Sequence, residues 1–280
     1  MLKGKRIALI GPGVMGEALL SALLARAGVA AEDLTVGGPR PERLRELSER
    51  FGVMASTDNR AAVHRAEAVV LSVKPQTLPA VLEGLSGAIP PGALVLSIVA
   101  GARLEDLSRK LGHPALVRAM PNTPAQIGQG ITVWAARPAV SEELKEMARQ
   151  MLACLGSEVY ADDEDYLDMA TALSGTGPAY VFLFMEALVD AGVHLGFPRR
   201  IAEQLVVQTV KGSVAFYETS PSHLARLRNQ VTSPAGTTAA ALYFLDKAGF
   251  RPALSRAVWA AYERSVQLGR GQKRGPVGPD

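Results

Sequence analysis

The sequence holds a single cysteine, Cys154, in 280 residues. No intramolecular disulfide can form, so core packing must hold the fold, and a reducing compartment suits it. Charge of one sign is scarce as well. The 30 Lys and Arg face 27 Asp and Glu for a formal net charge of +3, and Arg270, Lys273 and Arg274 against Asp280 place +2 of that in the last eleven residues. The remainder is close to neutral, which speaks against a nucleic-acid footprint. Long apolar runs are missing too: none approaches the ~18 residues that would span a bilayer. Met1 to Arg6 leads straight into Ile7-Ala8-Leu9-Ile10 and a glycine loop, leaving no room for the core of a signal peptide. These absences predict a cytoplasmic protein with no membrane partner. His64, His113, His194 and His223 are scattered without metal-ligand spacing, and neither G-x-S-x-G nor H-E-x-x-H occurs. The chemistry should therefore need no metal and no strong protein base.

What is present reads as a folded chain: 48% hydrophobic and 20% charged residues, with 27 Gly and 18 Pro, well under low-complexity levels. At roughly 150 residues per domain the length predicts about two domains. Short apolar runs at Ile7 to Ile10, Ala68 to Val73, Leu94 to Val99 and Leu116 to Met120 read as strands buried on both faces, alternating with helical patterns at Glu17 to Ala27, Pro41 to Phe51 and Ser141 to Leu155. Such alternation predicts a parallel sheet with helices on both faces and a ligand site at the carboxyl ends of the strands. From about Asp165 strand-like runs stop, and helices are expected over Asp165 to Leu195, Pro198 to Glu218, Thr237 to Ala248 and Pro252 to Gln267. The expected division is residues 1–164, an α/β domain, then 165–268, an all-α domain, then a disordered tail at 269–280. Helices apolar nearly all round, as in Ala179 to Val189, predict that the second domain completes its core against another subunit.

Gly11-Pro12-Gly13-Val14-Met15-Gly16 is a complete G-x-G-x-x-G between the first strand and the first helix. Its glycines allow a tight turn and close backbone approach to a dinucleotide pyrophosphate at a helix N-terminus. The stretch Thr35 to Arg40, where an acidic residue would hold the ribose hydroxyls of NAD, has no carboxylate but does have Arg40, a partner for a 2′-phosphate. NADPH is favoured, with NADH left open. Val73-Lys74-Pro75-Gln76 and Val99-Ala100-Gly101 also follow strands, and Asn59 is a further polar candidate near the cofactor. Met120-Pro121-Asn122-Thr123-Pro124 is a stiff loop at another strand end. In the helical half, Ser174-Gly175-Thr176-Gly177-Pro178 and Thr232-Ser233-Pro234-Ala235-Gly236-Thr237-Thr238 are rich in hydroxyls. The second precedes an apolar helix, whose first N–H groups suit a carboxylate.

Taken together, the glycine loop, Val73-Lys74-Pro75-Gln76, Met120-Pro121-Asn122-Thr123-Pro124, Ser174-Gly175-Thr176-Gly177-Pro178-Ala179-Tyr180 and Thr232 to Thr238, with Asp190-Ala191-Gly192 between the last two, resemble pyrroline-5-carboxylate reductase over nearly the whole chain. The resemblance implies a Rossmann-like α/β domain with a mostly parallel sheet, followed by an all-α dimerisation domain. It implies NAD(P)H-dependent reduction of 1-pyrroline-5-carboxylate to L-proline, in a homodimer joined through the helical domains and often assembled further. By position, Gly11 to Gly16, Gly37, Arg40, Asn59, Val73, Lys74, Pro75 and Ala100 line the cofactor. Glu164, Gln230, Ser233, Gly236, Thr237 and Thr238 line the substrate, with Thr238 as the catalytic candidate. Three departures stand out: Gly37 where the family often has a hydroxyl residue, Gln230 where asparagine is common, and Ala235 where glycine is usual.

Two other readings share the cofactor loop. A β-hydroxyacid dehydrogenase typically uses a helical lysine with asparagine four residues on, whereas Lys211 is followed at that distance by Ala215. The other is a non-catalytic NADP(H)-binding regulator.

Overall fold

The computed structural model describes residues 2–219 and 222–269. They form two compact units: one holds the described residues through Thr176 and those from Ala260 on, the other is Gly177–Trp259. The sequence-based cut at 164/165 falls elsewhere than this division. Leu167 and Ala172 are buried and Asp168 is ion-paired to Arg118, so the chain just past 165 packs and pairs with the first unit.

The first unit is built on an eight-stranded sheet of order β3-β2-β1-β4-β5-β6-β7-β8. The strands are β1 (Ile7–Ile10), β2 (Leu34–Gly37), β3 (Met54–Ser56), β4 (Ala68–Leu71), β5 (Leu94–Ser97), β6 (Leu116–Met120), β7 (Gly130–Ala136) and β8 (Gly156–Tyr160). All neighbours run parallel except β6 and β7. The link between those two, residues 121–129, holds one short 3-10 turn, Thr123–Ile127, too short for the crossover that parallel pairing requires. The sheet is therefore mostly, not wholly, parallel.

Side chains alternate across the pleat and fill two cores. Ile7 and Leu9 join Leu20, Leu23, Leu47, Met151 and Leu152 on one face. Ala8 and Ile10 join Leu82, Leu107, Leu111 and Leu167 on the other. The helices that cover the sheet are α1 (Val14–Arg26), α2 (Pro41–Phe51), α3 (Asn59–Val63), α4 (Leu78–Leu85), α5 (Leu104–Leu111) and α6 (Glu142–Ala153). Pro41 opens α2, and Gly52 at φ +72° closes it, the arrangement each residue's backbone favours. Strand order reverses at β1 and β4, the switch point beside which ligands of such sheets lie.

After α7 (Tyr166–Ala170) the expected single helix is interrupted by a π-helical turn, Thr171–Gly175. The hydroxyls of Thr171, Ser174 and Thr176 donate back to the carbonyls of Leu167, Ala170 and Thr171, which is how such side chains bend helices. The second unit holds α8 (Gly177–His194), α9 (Arg199–Thr219), α10 (Leu224–Gln230) and α11 (Thr237–Lys247), and α12 (Phe250–Gly269) begins in it. Helix α10 was not expected from the sequence. The second unit's own core is small: Val189, Ala202 and Val206 are its buried apolar residues among those described, while Phe182, Leu183, Val214, Phe216 and Phe244 are exposed. The helical stretch Tyr166–His194 is long and apolar enough to cross a membrane by length and composition, a property the sequence reading had not recognised. The expected tail lies outside the described residues apart from Gly269, which ends α12.

Candidate active site

The phosphate loop starts at the carboxyl end of β1. Gly11 has φ +80°, its N–H donates to the Gly37 carbonyl at 2.8 Å and its carbonyl accepts from Gly13 N–H at 2.7 Å. A Cβ on Gly11 would collide with the Val73 side chain and reach the Val73 Cα at 2.9 Å. A Cβ on Gly16 would lie 2.6 Å from Ser72 Oγ, which itself bonds the carbonyls of Ile10 and Gly11. Those two glycines are therefore demanded by packing between β1, α1 and the loop after β4. Gly13 is different, since the nearest atom to a Cβ there is the Gly11 carbonyl oxygen at 4.0 Å. Its bareness leaves room above the start of α1, whose N-cap is Gly13 and carries no side-chain cap. Free N–H groups and open space at a helix start suit a pyrophosphate.

Val14 is exposed and Met15 and Val73 are half-buried around this loop. Gly37 ends β2, and Gly37 and Gly38 are buried. A Cβ at Gly37 would meet Ile10 at 2.7 Å and Asn59 Oδ1 at 2.9 Å. Asn59 opens α3, and its Oδ1 is buried without a hydrogen-bond partner. An orphaned buried acceptor is costly unless something donates to it. Arg40 is the exposed N-cap residue of α2, and Lys74 is exposed in the loop after β4. Neither carries an ion pair among the described residues. Pro75 and Ala100 are half-buried at the ends of β4 and β5. The cofactor candidates thus gather at the carboxyl ends of β1, β2, β4 and β5. A groove of about 470 Å³, lined by Arg6, Asp33, Met54, His64 and Arg65 among others, opens instead at the amino ends of the strands, the wrong end for a ligand of this fold.

Asn122 of the stiff loop is engaged internally: its side chain donates to the Ser174 carbonyl at 3.1 Å and accepts from Ile131 N–H at 3.0 Å. Glu164 is engaged too. Its Oε1 accepts from Leu104 N–H at 2.8 Å and from Arg118 at 2.9 Å. Arg118, Asp168 and Ser265 around it were not foreseen. The available signal was a charge inside the apolar strand Leu116–Met120, since a buried charge must find partners.

In the second unit, Gln230 ends α10 and is exposed. Gly236 is the N-cap of α11 and gives no side-chain cap. Its N–H donates to the Ser233 carbonyl at 3.1 Å. Thr237 and Thr238 are the first residues of α11, the first exposed and the second half-buried. Helix α11 therefore opens with backbone donors in place of a capping side chain. Ala235 just before it sits at φ +59°, a left-handed conformation costly for any residue but glycine.

Comparison with known proteins gives matches to two family models and to whole relatives. Residues 164–268 match the family model described as "Pyrroline-5-carboxylate reductase dimerisation", and residues 6–101 that described as "NADP oxidoreductase coenzyme F420-dependent". The chain is 42% identical to a pyrroline-5-carboxylate reductase of Synechocystis sp., over 95% of this chain and 98% of that one. It is 41% identical to one of Pseudomonas aeruginosa, over 94% and 96%. Among solved structures it resembles a pyrroline carboxylate reductase of Plasmodium falciparum with NADP bound, at 31% identity and TM-score 0.87, covering 95% of this chain and 98% of the other. A prephenate dehydrogenase of A. aeolicus, at 14% identity and TM-score 0.54, shares the fold alone.

Proposed function

The chain belongs to the pyrroline-5-carboxylate reductase family, and on that premise we propose that it reduces the cyclic imine 1-pyrroline-5-carboxylate to L-proline, the last step of proline synthesis, with NADPH as reductant. When bound, the nicotinamide supplies a hydride to the imine carbon. The free N–H groups at the start of α1 would hold the pyrophosphate, and the unpartnered Asn59 Oδ1 would accept from a ribose hydroxyl. Val73, Lys74, Pro75 and Ala100 complete that side of the site. Arg40, with no carboxylate near the end of β2, holds the 2′-phosphate and so favours NADPH over NADH.

The substrate's carboxylate sits on the backbone N–H groups of Thr237 and Thr238, at the positive end of α11, beside Gly236, whose own N–H donates to the Ser233 carbonyl. The Thr238 hydroxyl hydrogen-bonds the ring nitrogen, and Gln230 and Ser233 line the same seat. A protonated imine is already an electrophile, so the protein's main tasks are orientation and charge placement. That accounts for a sequence whose histidines are scattered without metal-ligand spacing. Glu164 is set outside this seat in the present reading, because its Oε1 already accepts from Leu104 N–H and Arg118.

The observation that carries this reading is the uncapped start of α11 at Gly236, which leaves the N–H groups of Thr237 and Thr238 for an anion. Exposed apolar side chains of α8 and α9, such as Phe182 and Phe216, supply the face through which a homodimer, and further assembly, forms. That assembly covers the apolar Tyr166–His194 stretch, so no membrane is needed. The single thiol, Cys154, is buried and suits the cytoplasm. The test is loss of NADPH absorbance on adding 1-pyrroline-5-carboxylate, with NADH in parallel. Turnover faster with NADPH supports the reading; no turnover with either coenzyme refutes it.

A further inference from the structure

Arg118 is the largest fully buried side chain in the first unit, only 2% exposed, and lies in β6 opposite Ser97 of β5. Its two terminal nitrogens are divided between two carboxylates: Nη1 donates to Glu164 at 2.9 Å and Nη2 to Asp168 at 3.1 Å. A buried ion pair of this kind is poor evidence for stability, because well-packed apolar residues serve as well. What it does provide is direction, and here the directions converge on one loop.

Glu164 also accepts from Leu104 N–H, the first residue of α5, which opens just beyond Val99-Ala100-Gly101. Arg103, the N-cap residue of α5, pairs with Asp165 at 2.8 Å and lies 3.8 Å from Glu164 and 3.9 Å from Asp168. Asp168 accepts from Ser265 Oγ of α12 at 2.7 Å. The end of that helix closes on the loop: a Cβ at Gly101 would meet Gly269 N at 2.9 Å. The loop that carries Ala100 is thus held at its far end by Glu164 and at Gly101 by the end of α12, itself fastened to Asp168. Arg118 fixes both carboxylates.

We propose that Arg118, Glu164, Asp168 and Ser265 form a positioning unit that sets the 99–104 loop for the cofactor. Glu164 acts through this loop and not by touching substrate. This rests on the reading above that Ala100 lines the NADPH site.

The test compares wild type with Glu164→Ala, Glu164→Gln and Ser265→Ala in the full chain. The Kd for NADPH is measured without substrate, and steady-state constants are measured for both substrates. Losing one directed contact should raise the NADPH Kd roughly 10-fold in Glu164→Ala, with the KM for pyrroline-5-carboxylate at saturating NADPH unchanged. Glu164→Gln, which keeps an acceptor for Leu104 N–H, recovers most of the loss. An unchanged NADPH Kd, or an effect confined to the imine's KM, overturns the proposal. Should Glu164→Ala fail to fold, Ser265→Ala decides: a raised NADPH Kd is expected, and an unchanged one overturns it. Absence of imine reduction by wild type would refute the enzymatic reading separately, since the Kd comparison needs no turnover.

Discussion

The side chain of Val73 fills the space that a Cβ on Gly11 would need. The first glycine of the phosphate loop and the loop after β4 are fitted to each other, whereas Gly13 faces open space. The two glycines should therefore fail differently. Gly11→Ala combines a φ of +80° with a collision and should cost about 2 kcal/mol or more of stability. Gly13→Ala should leave the melting temperature nearly unchanged and still weaken NADPH binding, because its methyl group enters the pyrophosphate's place. Thermal melts and cofactor titrations on the two variants check this. Equal stability loss in both would contradict it.

Arg40 is exposed and unpaired among the described residues, so its removal leaves no buried partner behind. Arg40→Ala should raise the KM for NADPH roughly 10-fold, in line with a lost charge-assisted contact of about 1.5 kcal/mol or more. The KM for NADH should stay the same. Parallel change with both coenzymes would remove Arg40 from the 2′-phosphate.

Thr238 opens α11 and is half-buried. Thr238→Ala keeps the backbone N–H groups and deletes the hydroxyl, so kcat should fall roughly 10- to 100-fold for one positioned polar contact. NADPH affinity should not change. Normal kcat would take the hydroxyl out of the reaction.

Ala235 holds a φ of +59°, where a Cβ is unfavourable. Ala235→Gly relieves that cost and adds entropy to the unfolded chain, two opposing effects of about 1 kcal/mol each in which relief of strain is the larger. A gain in stability of under about 1 kcal/mol is expected from denaturant melts. A clear loss would mean that the loop depends on the alanine methyl.

Strands β1, β4, β5 and β6 were legible because a strand buried on both faces must be apolar throughout. The edge strands β3 and β8 escaped notice for the opposite reason: Met54, Val159 and Tyr160 are exposed, and β8 carries Ser157 and Glu158. The glycine loop and the start of α11 were legible because backbone chemistry there dictates residue type. The Arg118 network was not, since its partners lie 46 and 50 residues away along the chain. No local pattern encodes such a pairing, although an arginine between Val117 and Ala119 announces that one must exist. The same separation accounts for Glu164: proximity to acidic neighbours in sequence gave no hint that Leu104 and Arg118 take its oxygen.

The central claim is that α11 begins with a seat for the substrate's carboxylate. Its most direct test is a crystal structure of the full chain with NADP and an unreactive saturated-ring carboxylate. The account predicts the carboxylate on the N–H groups of Thr237 and Thr238, with the Thr238 hydroxyl at the ring nitrogen. A carboxylate held elsewhere, with those N–H groups turned to solvent, would contradict it.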